Sequence, residues 1–524
     1  MTLDYVIIGA GPAGLQLASL LARDGLDHVV LEAGPAPGTF FTRYPRHRQL
    51  ISINKVWTGT DDPEKRLRSD WNSLLSDDPS LLFRHWSTRY FPAADDMVAY
   101  LAAFAERTGV PVRYGTRVTL VAREDGVFVV EADGATWRAR RVVVATGVPL
   151  TYVPDIDGID LAEGYDTVSV DPADFVDQRV LIIGKGNSAF ETADALVETA
   201  AVIHVAGPHS VTLAWQTHYV GHLRAVNNNF LDTYQLKSGN AVLDGDVVRI
   251  ERADDGGYRV LFRYARTDER LRELRYDRVV VATGFRCDAS IFDASARPAL
   301  VIHDRFPAQT AAYESVDVPG LYFAGTLTQQ RDFKRSTNGF VHGFRYSARA
   351  LHRILRSRYH EDPWPAVPLA PTPEAIAAAV IARINRTSAL WQQFAVLGDV
   401  VAVGPDGAAY LEEVPVAYVA DGGLGAPGRE VDAYVVTLEY GPDHDKVDPF
   451  DVTVPRIAEN DAGAAHDAAY LHPVVRLHRG GQVVDELHLA ENLENEWDLP
   501  DVHVAPLEAF VARHLAPVPA AARA

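Results

Sequence analysis

Cysteine is all but missing: the 524-residue chain has one, Cys287. A single thiol allows no intrachain disulfide and no Cys-x-x-Cys pair, so internal dithiol relay chemistry is excluded. Cys287 itself reads as a small buried hydrophobe without a role. Basic charge is also short. Fifty Lys and Arg face seventy Asp and Glu, for a formal net charge of -20. That argues against nucleic acid and anionic membrane surfaces as partners, although the Arg-rich residues 43–48 remain available for phosphates. No apolar run reaches the ~18 residues of a membrane span. The N-terminus has no basic and apolar leader pattern and the C-terminal tail no retention signal, so a cytoplasmic protein with a frayed tail is expected. Arginine exceeds lysine and alanine is abundant, a composition that suggests a bacterial source.

What is present is glycine, at two special places. Gly9-Ala10-Gly11-Pro12-Ala13-Gly14 follows the apolar run Tyr5-Val6-Ile7-Ile8 and opens a helical pattern. Gly184-Lys185-Gly186-Asn187-Ser188-Ala189 follows Val180-Leu181-Ile182-Ile183 in the same way. In such a cradle the first glycine makes the tight turn, the second lets backbone approach a pyrophosphate, and the third packs helix on strand. The helix N-terminus adds free N–H groups and a positive dipole end. Glu32, at the end of the next strand pattern, is placed to accept ribose hydroxyls. The second cradle ends in Ala189 and has neither an acid nor an arginine at Ala206-Gly207-Pro208-His209-Ser210. His209 and Ser210 are the nearest ribose or 2′-phosphate candidates, which favours NADPH modestly and leaves NADH open. Two cradles imply two dinucleotides on one chain, most simply FAD reduced by a nicotinamide.

Two further strand ends repeat, Ala145-Thr146-Gly147 and Ala282-Thr283-Gly284, each ahead of a crossing between units. Leu321-Tyr322-Phe323-Ala324-Gly325 then supplies another buried strand, with Thr326 in the turn and Ser336-Thr337-Asn338-Gly339 as a helix start. That helix start is expected to face a flavin edge that gains negative charge. The expected fold is α/β. Two Rossmann-like domains lie at 1–160 with 279–362 (FAD) and at 161–278 (NAD(P)H, inserted), and an α+β domain lies at 363–524. In the C-terminal part a helix is expected over 373–395, strands over 409–419, 433–440, 474–478 and 482–490, and a helix over 506–515.

These residues carry a resemblance. Their order is similar to two-dinucleotide-domain flavoproteins, especially class B flavin monooxygenases. A resemblance over nearly the whole chain is to the FAD-dependent oxidoreductase family typified by an ER-lumen flavoprotein linked to ER-associated degradation. It rests on residues 40–55 (Phe40-Phe41-Thr42-Arg43-Tyr44-Pro45 onward), Asp70-Trp71-Asn72-Ser73-Leu74-Leu75, Thr217-His218-Tyr219-Val220-Gly221, residues 339–346 and Leu471-His472-Pro473. The ER role is not carried over. The resemblance implies a flavin-binding set that includes Ala33, Phe40 and Arg48. It places Asn54 beside the flavin, where it helps retain a C4a-(hydro)peroxyflavin. The linker histidine of class B enzymes is missing from Gly164-Tyr165-Asp166-Thr167-Val168-Ser169.

Residues 215–237 gather aromatic, His and Asn side chains, and Trp215, His218 and Tyr219 are the expected substrate contacts. His218 and His222 stand four apart, but no acid completes a metal set, so no metal is expected. The reading is an FAD- and NADPH-dependent monooxygenase of a small molecule, with O2 as co-substrate and amine N-hydroxylation as first choice. Homo-oligomers are compatible with it. A flavin oxidase or dehydrogenase without stable oxygen activation is the alternative, and a partner-binding protein that holds FAD structurally is a third reading.

Overall fold

The computed structural model of the chain describes residues 2–236, 239–268, 270–405, 407–424, 432–457 and 459–515. Lys237 and the C-terminal tail, 516–524, lie outside the described residues.

The first sheet grows from the N-terminal cradle. β1 (Thr2–Ile8) runs into Gly9 and then α1 (Pro12–Arg23), and β2 (His28–Leu31) returns parallel to β1, with Ile8 opposite Leu31. β1 is buried over residues 5–8 and β2 throughout, as strands covered on two faces are. Val112–Arg113 extends the sheet beyond β2, and Ala135–Val144 flanks β1 on its other side. The early part of Ala135–Val144 pairs antiparallel with Val127–Ala132, and that strand pairs with Val118–Glu124. Its last residues take Leu321–Phe323 as a parallel neighbour, so the chain returns to this sheet after some 180 residues elsewhere. The seven strands form one sheet.

The second seven-stranded sheet repeats the plan. β3 (Arg179–Ile183), α2 (Asn187–Leu196) and β4 (Val202–Gly207) form its cradle unit. β5 (Ala241–Arg252) pairs parallel with β4 over its first residues and then antiparallel with Tyr258–Tyr264, which pairs with Leu271–Tyr276. Arg278–Val281 and Glu163–Gly164 complete it. Leu150–Thr151 and Phe285–Arg286, the outgoing and returning crossings, pair antiparallel as a two-stranded joint between the sheets.

The third part holds a six-stranded antiparallel sheet in the order Ala366–Leu369, Gly407–Pro415, Leu397–Gly404, Asp432–Glu439, His472–Arg479, Gln482–His488. α3 (Val341–Tyr359) bridges it to α1, and one continuous core runs from Tyr5 and Leu15 through Leu351 and Ile354 to Val400, Val436 and Phe510. The expected helix over 373–395 is broken: Pro373–Ile384 ends, and Ala389–Gln392 is a separate turn. Between them Thr387 and Ser388 are buried and the Asn385 side chain donates to the Trp497 carbonyl at 3.2 Å, a competing side-chain-to-backbone pattern that ends helices. The expected strand over 409–419 stops at Pro415, after which Val416–Ala420 turns helical. No helix among the described residues is long and apolar enough to cross a membrane.

Candidate cofactor sites and the joint between them

The first cradle is a convergence of three loops. Gly9 has φ +104°, and a Cβ there would lie 2.8 Å from the Ala145 carbonyl oxygen. Gly14 abuts the Gly9 carbonyl, so a side chain would separate α1 from the strand ends. Gly325, with φ +73°, touches Ala13. Ala145 donates its amide to Ile8 at 2.8 Å, which holds Thr146 and Gly147 beside the glycine turn. Gly11 is the N-cap of α1 and faces open space, with no side-chain cap and no acid in the first turn. Pro12 at the first helical position lacks the N–H that would need a partner. These are the features of an anion seat left free for a ligand phosphate.

Glu32 is buried beneath this loop. Its Oε2 accepts the Ala10 amide at 2.7 Å, and its Oε1 accepts the Gly34 amide at 2.8 Å and the Thr39 hydroxyl at 3.0 Å. A carboxylate offers about four acceptor positions, so Glu32 braces the cradle and keeps acceptor capacity toward a ribose. Ala33 beside it is exposed. Phe40, 43 % exposed, packs on Tyr44 at 5.0 Å and Phe285 at 6.2 Å, at the joint between the two sheets. Arg48 pairs with Asp95 at 2.5 Å.

Several predicted side chains are held by protein rather than left for a cofactor. Ser336 donates to the Phe394 carbonyl at 3.1 Å and Thr337 donates to the Gln392 carbonyl. Both therefore tie the third part of the chain to the first. The expected helix start at Asn338 is corrected to Val341, with Phe340 as N-cap, because Asn338 is held by Asp332 and Ser347. Thr326 makes only a 3.4 Å contact to the Gly339 carbonyl. Asn54 is buried, and its amide donates to the carbonyls of Ser87 at 2.7 Å and Arg89 at 3.3 Å.

The second cradle repeats the geometry of the first. Gly184 has φ +129° and abuts the Ala282 carbonyl, and its amide donates to Ala206 at 2.8 Å. Gly186, the N-cap of α2, faces open space like Gly11. Asn187 is tied down by its side chain, which donates to the His222 carbonyl at 2.8 Å and accepts the Arg224 amide at 3.0 Å. It thus pins the segment after His218, and offers a ligand its backbone. Ala189 is buried and Ser188 accepts from Thr192 through its carbonyl. Thr283 donates to Tyr152 at 2.5 Å and Gly284 accepts the Tyr152 amide at 2.8 Å, closing the crossing. His209 and Ser210 are exposed beyond the strand end.

Between the cradles lies a buried polar and aromatic joint. Tyr219 is buried and receives a hydrogen bond from the Gln329 amide. Trp215 and His218 face elsewhere: Trp215 meets Phe450 at 5.0 Å, and His218 stacks on Tyr440 at 3.9 Å. The three expected substrate residues are therefore divided, and only Tyr219 faces the joint. His218 ends a short helical turn with φ +58°, so it shares no helical face with His222. His342 stacks between Trp71 at 4.3 Å and Phe340 at 5.9 Å, and neither ring nitrogen has a partner among the described residues. Burial, then the Arg345 and Arg224 cations, hold its pKa well below the usual value, so the imidazole is neutral. Arg224 lies over Trp71 at 5.1 Å, and its buried Nε has no hydrogen-bond partner among the described residues. Asp332 is buried with Oδ1 unpartnered, and burial pushes it up to about 7. His342 and Arg224 stand out in the sequence as pocket-shaping candidates, whereas Asp332 carried no sequence signal: its place depends on the Asn338 amide that its Oδ2 accepts at 3.0 Å and on an Oδ1 left without a partner among the described residues.

The fold and family agree with known proteins. Residues 6–325 match the family described as pyridine nucleotide-disulphide oxidoreductase. The chain belongs to that family. It is 39 % identical over 97 % of its length to the FAD-dependent oxidoreductase domain-containing protein 2 of Mus musculus, and it covers 83 % of that protein. The Danio rerio protein of the same description is 38 % identical over 97 % of the chain and is covered over 82 % of its own length. A flavin-containing monooxygenase from Stenotrophomonas maltophilia superposes on 68 % of the chain and 99 % of its own, with TM-score 0.53 and 22 % identity. The chain is thus a flavin-dependent oxidoreductase with two dinucleotide-binding domains. Both open helix N-termini fit the phosphates of FAD and of a nicotinamide dinucleotide. The bacterial source expected from composition is corrected, since the relatives matched along nearly the whole chain are from mouse and zebrafish. The family name mentions disulphides, yet this chain has one cysteine and no internal dithiol.

Proposed function

We propose that the chain is an FAD- and NADPH-dependent monooxygenase of a small molecule, with amine N-hydroxylation as the first reaction to test. The observation that carries this reading is the pair of helix N-termini with glycine at the N-cap and no side-chain cap, in a chain without a second thiol to receive electrons. When bound, FAD supplies hydride acceptance and reactivity toward O2. The chain's own residues hold the two dinucleotides, with Gly11 and Gly186 admitting phosphates and Glu32 fixing the first loop. The joint of Trp71, Tyr219, Phe340 and His342 excludes water and supplies a neutral imidazole within an apolar wall. Arg224 beside it would orient an anionic group of the nicotinamide or the substrate.

Rapid mixing of NADPH-reduced enzyme with O2, with candidate amines present, tests the reading. Substrate-dependent oxygen incorporation with little peroxide supports it. Immediate reoxidation with stoichiometric peroxide in every case would replace it with the oxidase reading, which the missing histidine at residues 164–169 favours.

A further inference from the structure

The strand registers of the two cradles can be compared residue by residue. In the first, Ile8 pairs with Leu31, and the next residue along the strand is Glu32. In the second, Ile183 pairs with Ala206, and the next residue is Gly207. Gly207 therefore stands where a ribose-binding acid stands in the first cradle. The space above it is filled by the Lys185 stem: a Cβ at Gly207 would lie 3.5 Å from Lys185 Cγ and 3.8 Å from Cε. Lys185 is the register counterpart of Ala10, the residue whose amide Glu32 accepts.

The Lys185 ammonium donates to the His209 carbonyl at 2.9 Å and to Asp244 at 2.5 Å, with its side chain 7 % exposed. Asp244, the β5 residue opposite Gly207, takes Arg266 Nε on its other oxygen at 2.6 Å. One carboxylate thus holds two cations at the strand tip. An ammonium has three donors and a guanidinium five, so donors remain on both. The arrangement exchanges the acceptor that reads ribose hydroxyls for a cationic pair that reads a phosphate monoester.

Resting on the nicotinamide reading of the second cradle, we propose that Lys185 and Arg266 bind the 2′-phosphate of NADPH and so set selection against NADH, with Asp244 positioning both cations. His209 contributes its carbonyl to Lys185 and is not itself the clamp.

Calorimetry on the FAD-loaded full chain with adenosine 2′,5′-bisphosphate and adenosine 5′-monophosphate tests this. The bisphosphate should bind roughly 10- to 100-fold tighter, as charged hydrogen bonds do, and the preference should weaken with salt. Lys185→Met should bring the two affinities within about threefold of each other. Arg266→Ala, at a surface position that tolerates truncation, should reduce the preference severalfold. Gly207→Glu, which the backbone accepts, should engage Lys185 and turn the preference toward the monophosphate and NADH. An unchanged preference in Lys185→Met and Arg266→Ala, or equal binding by the unsubstituted protein, overturns the proposal while the cradle reading stands. Binding of neither nucleotide, with flavin that neither NADPH nor NADH bleaches, overturns both.

Discussion

Tyr165 donates its phenolic hydrogen to Glu191, and the same hydroxyl accepts the Arg46 amide at 3.2 Å. The contact joins the arginine-rich loop of the first nucleotide unit to α2 of the second. Burial pushes Glu191 up to about 7. A carboxyl raised in the fold keeps a proton that the unfolded chain releases near the ordinary glutamate value of 4.5. Its stabilisation is therefore full below that value and is lost as pH rises through about 7. Glu191→Gln should flatten this part of the pH dependence. Thermal melts across the window at fixed ionic strength check it, and a slope unchanged by the substitution would remove Glu191 as its source.

Gly11→Val and Gly186→Val should separate the two cofactors. Neither glycine has positive φ, and a Cβ at either meets nothing within 4 Å. The apoprotein should accept both substitutions, while a phosphate seated against either cradle would not. Gly11→Val should be purified colourless. Gly186→Val should stay yellow with an unchanged flavin spectrum, yet fail to bleach with NADPH. A yellow Gly11→Val protein with full flavin content would reject the assignment of the first cradle to FAD.

Much of this was legible because it is local. The cradle at Gly9 to Gly14 and the acid at Glu32 are read from spacing, since strand, turn and helix each need particular residues at adjacent positions. The strand Leu397–Gly404 was missed, since Leu397, Val400 and Val401 are buried at the centre of a sheet and show no alternation. The roles of Ser336 and Thr337 were misread for a different reason. Their hydroxyls are held by carbonyls of Phe394 and Gln392, more than fifty residues on. Lys185 stood in plain view between two glycines, but its meaning comes from Gly207 and Asp244 on neighbouring strands.

Asn54→Ala tests whether the loop it braces serves oxygen chemistry. The amide holds the carbonyls of Ser87 and Arg89, and its loss leaves a buried acceptor unpaired, at about 1 to 3 kcal/mol. Under the monooxygenase reading, FAD content should be retained, NADPH oxidation should continue, and a larger share of its electrons should leave as peroxide. Coupling of product to NADPH, measured beside peroxide release, decides it. Unchanged coupling with a lowered melting temperature would make Asn54 a structural brace alone.

Glu413 carries the opposite pH sign to Glu191. It is buried, and although burial raises its pKa, Arg349, Arg353 and Arg383 together hold it down to about 2. Arg349 and Arg353 lie on α3, which also packs against α1, while Glu413 belongs to the third sheet. The cluster thus couples the C-terminal part to the first cradle. A depressed carboxylate contributes stability above its unfolded value, near 4.5, which is lost as pH falls through about 2. Glu413→Gln leaves the buried Arg383 and the half-buried Arg349 and Arg353 short of one counter-charge and should destabilise by about 3 to 5 kcal/mol. Because α3 is shared, FAD should be released in the same transition as secondary structure is lost. Flavin fluorescence and circular dichroism recorded on one melt would show it, and two separated transitions would mean that the C-terminal part unfolds independently of the flavin site.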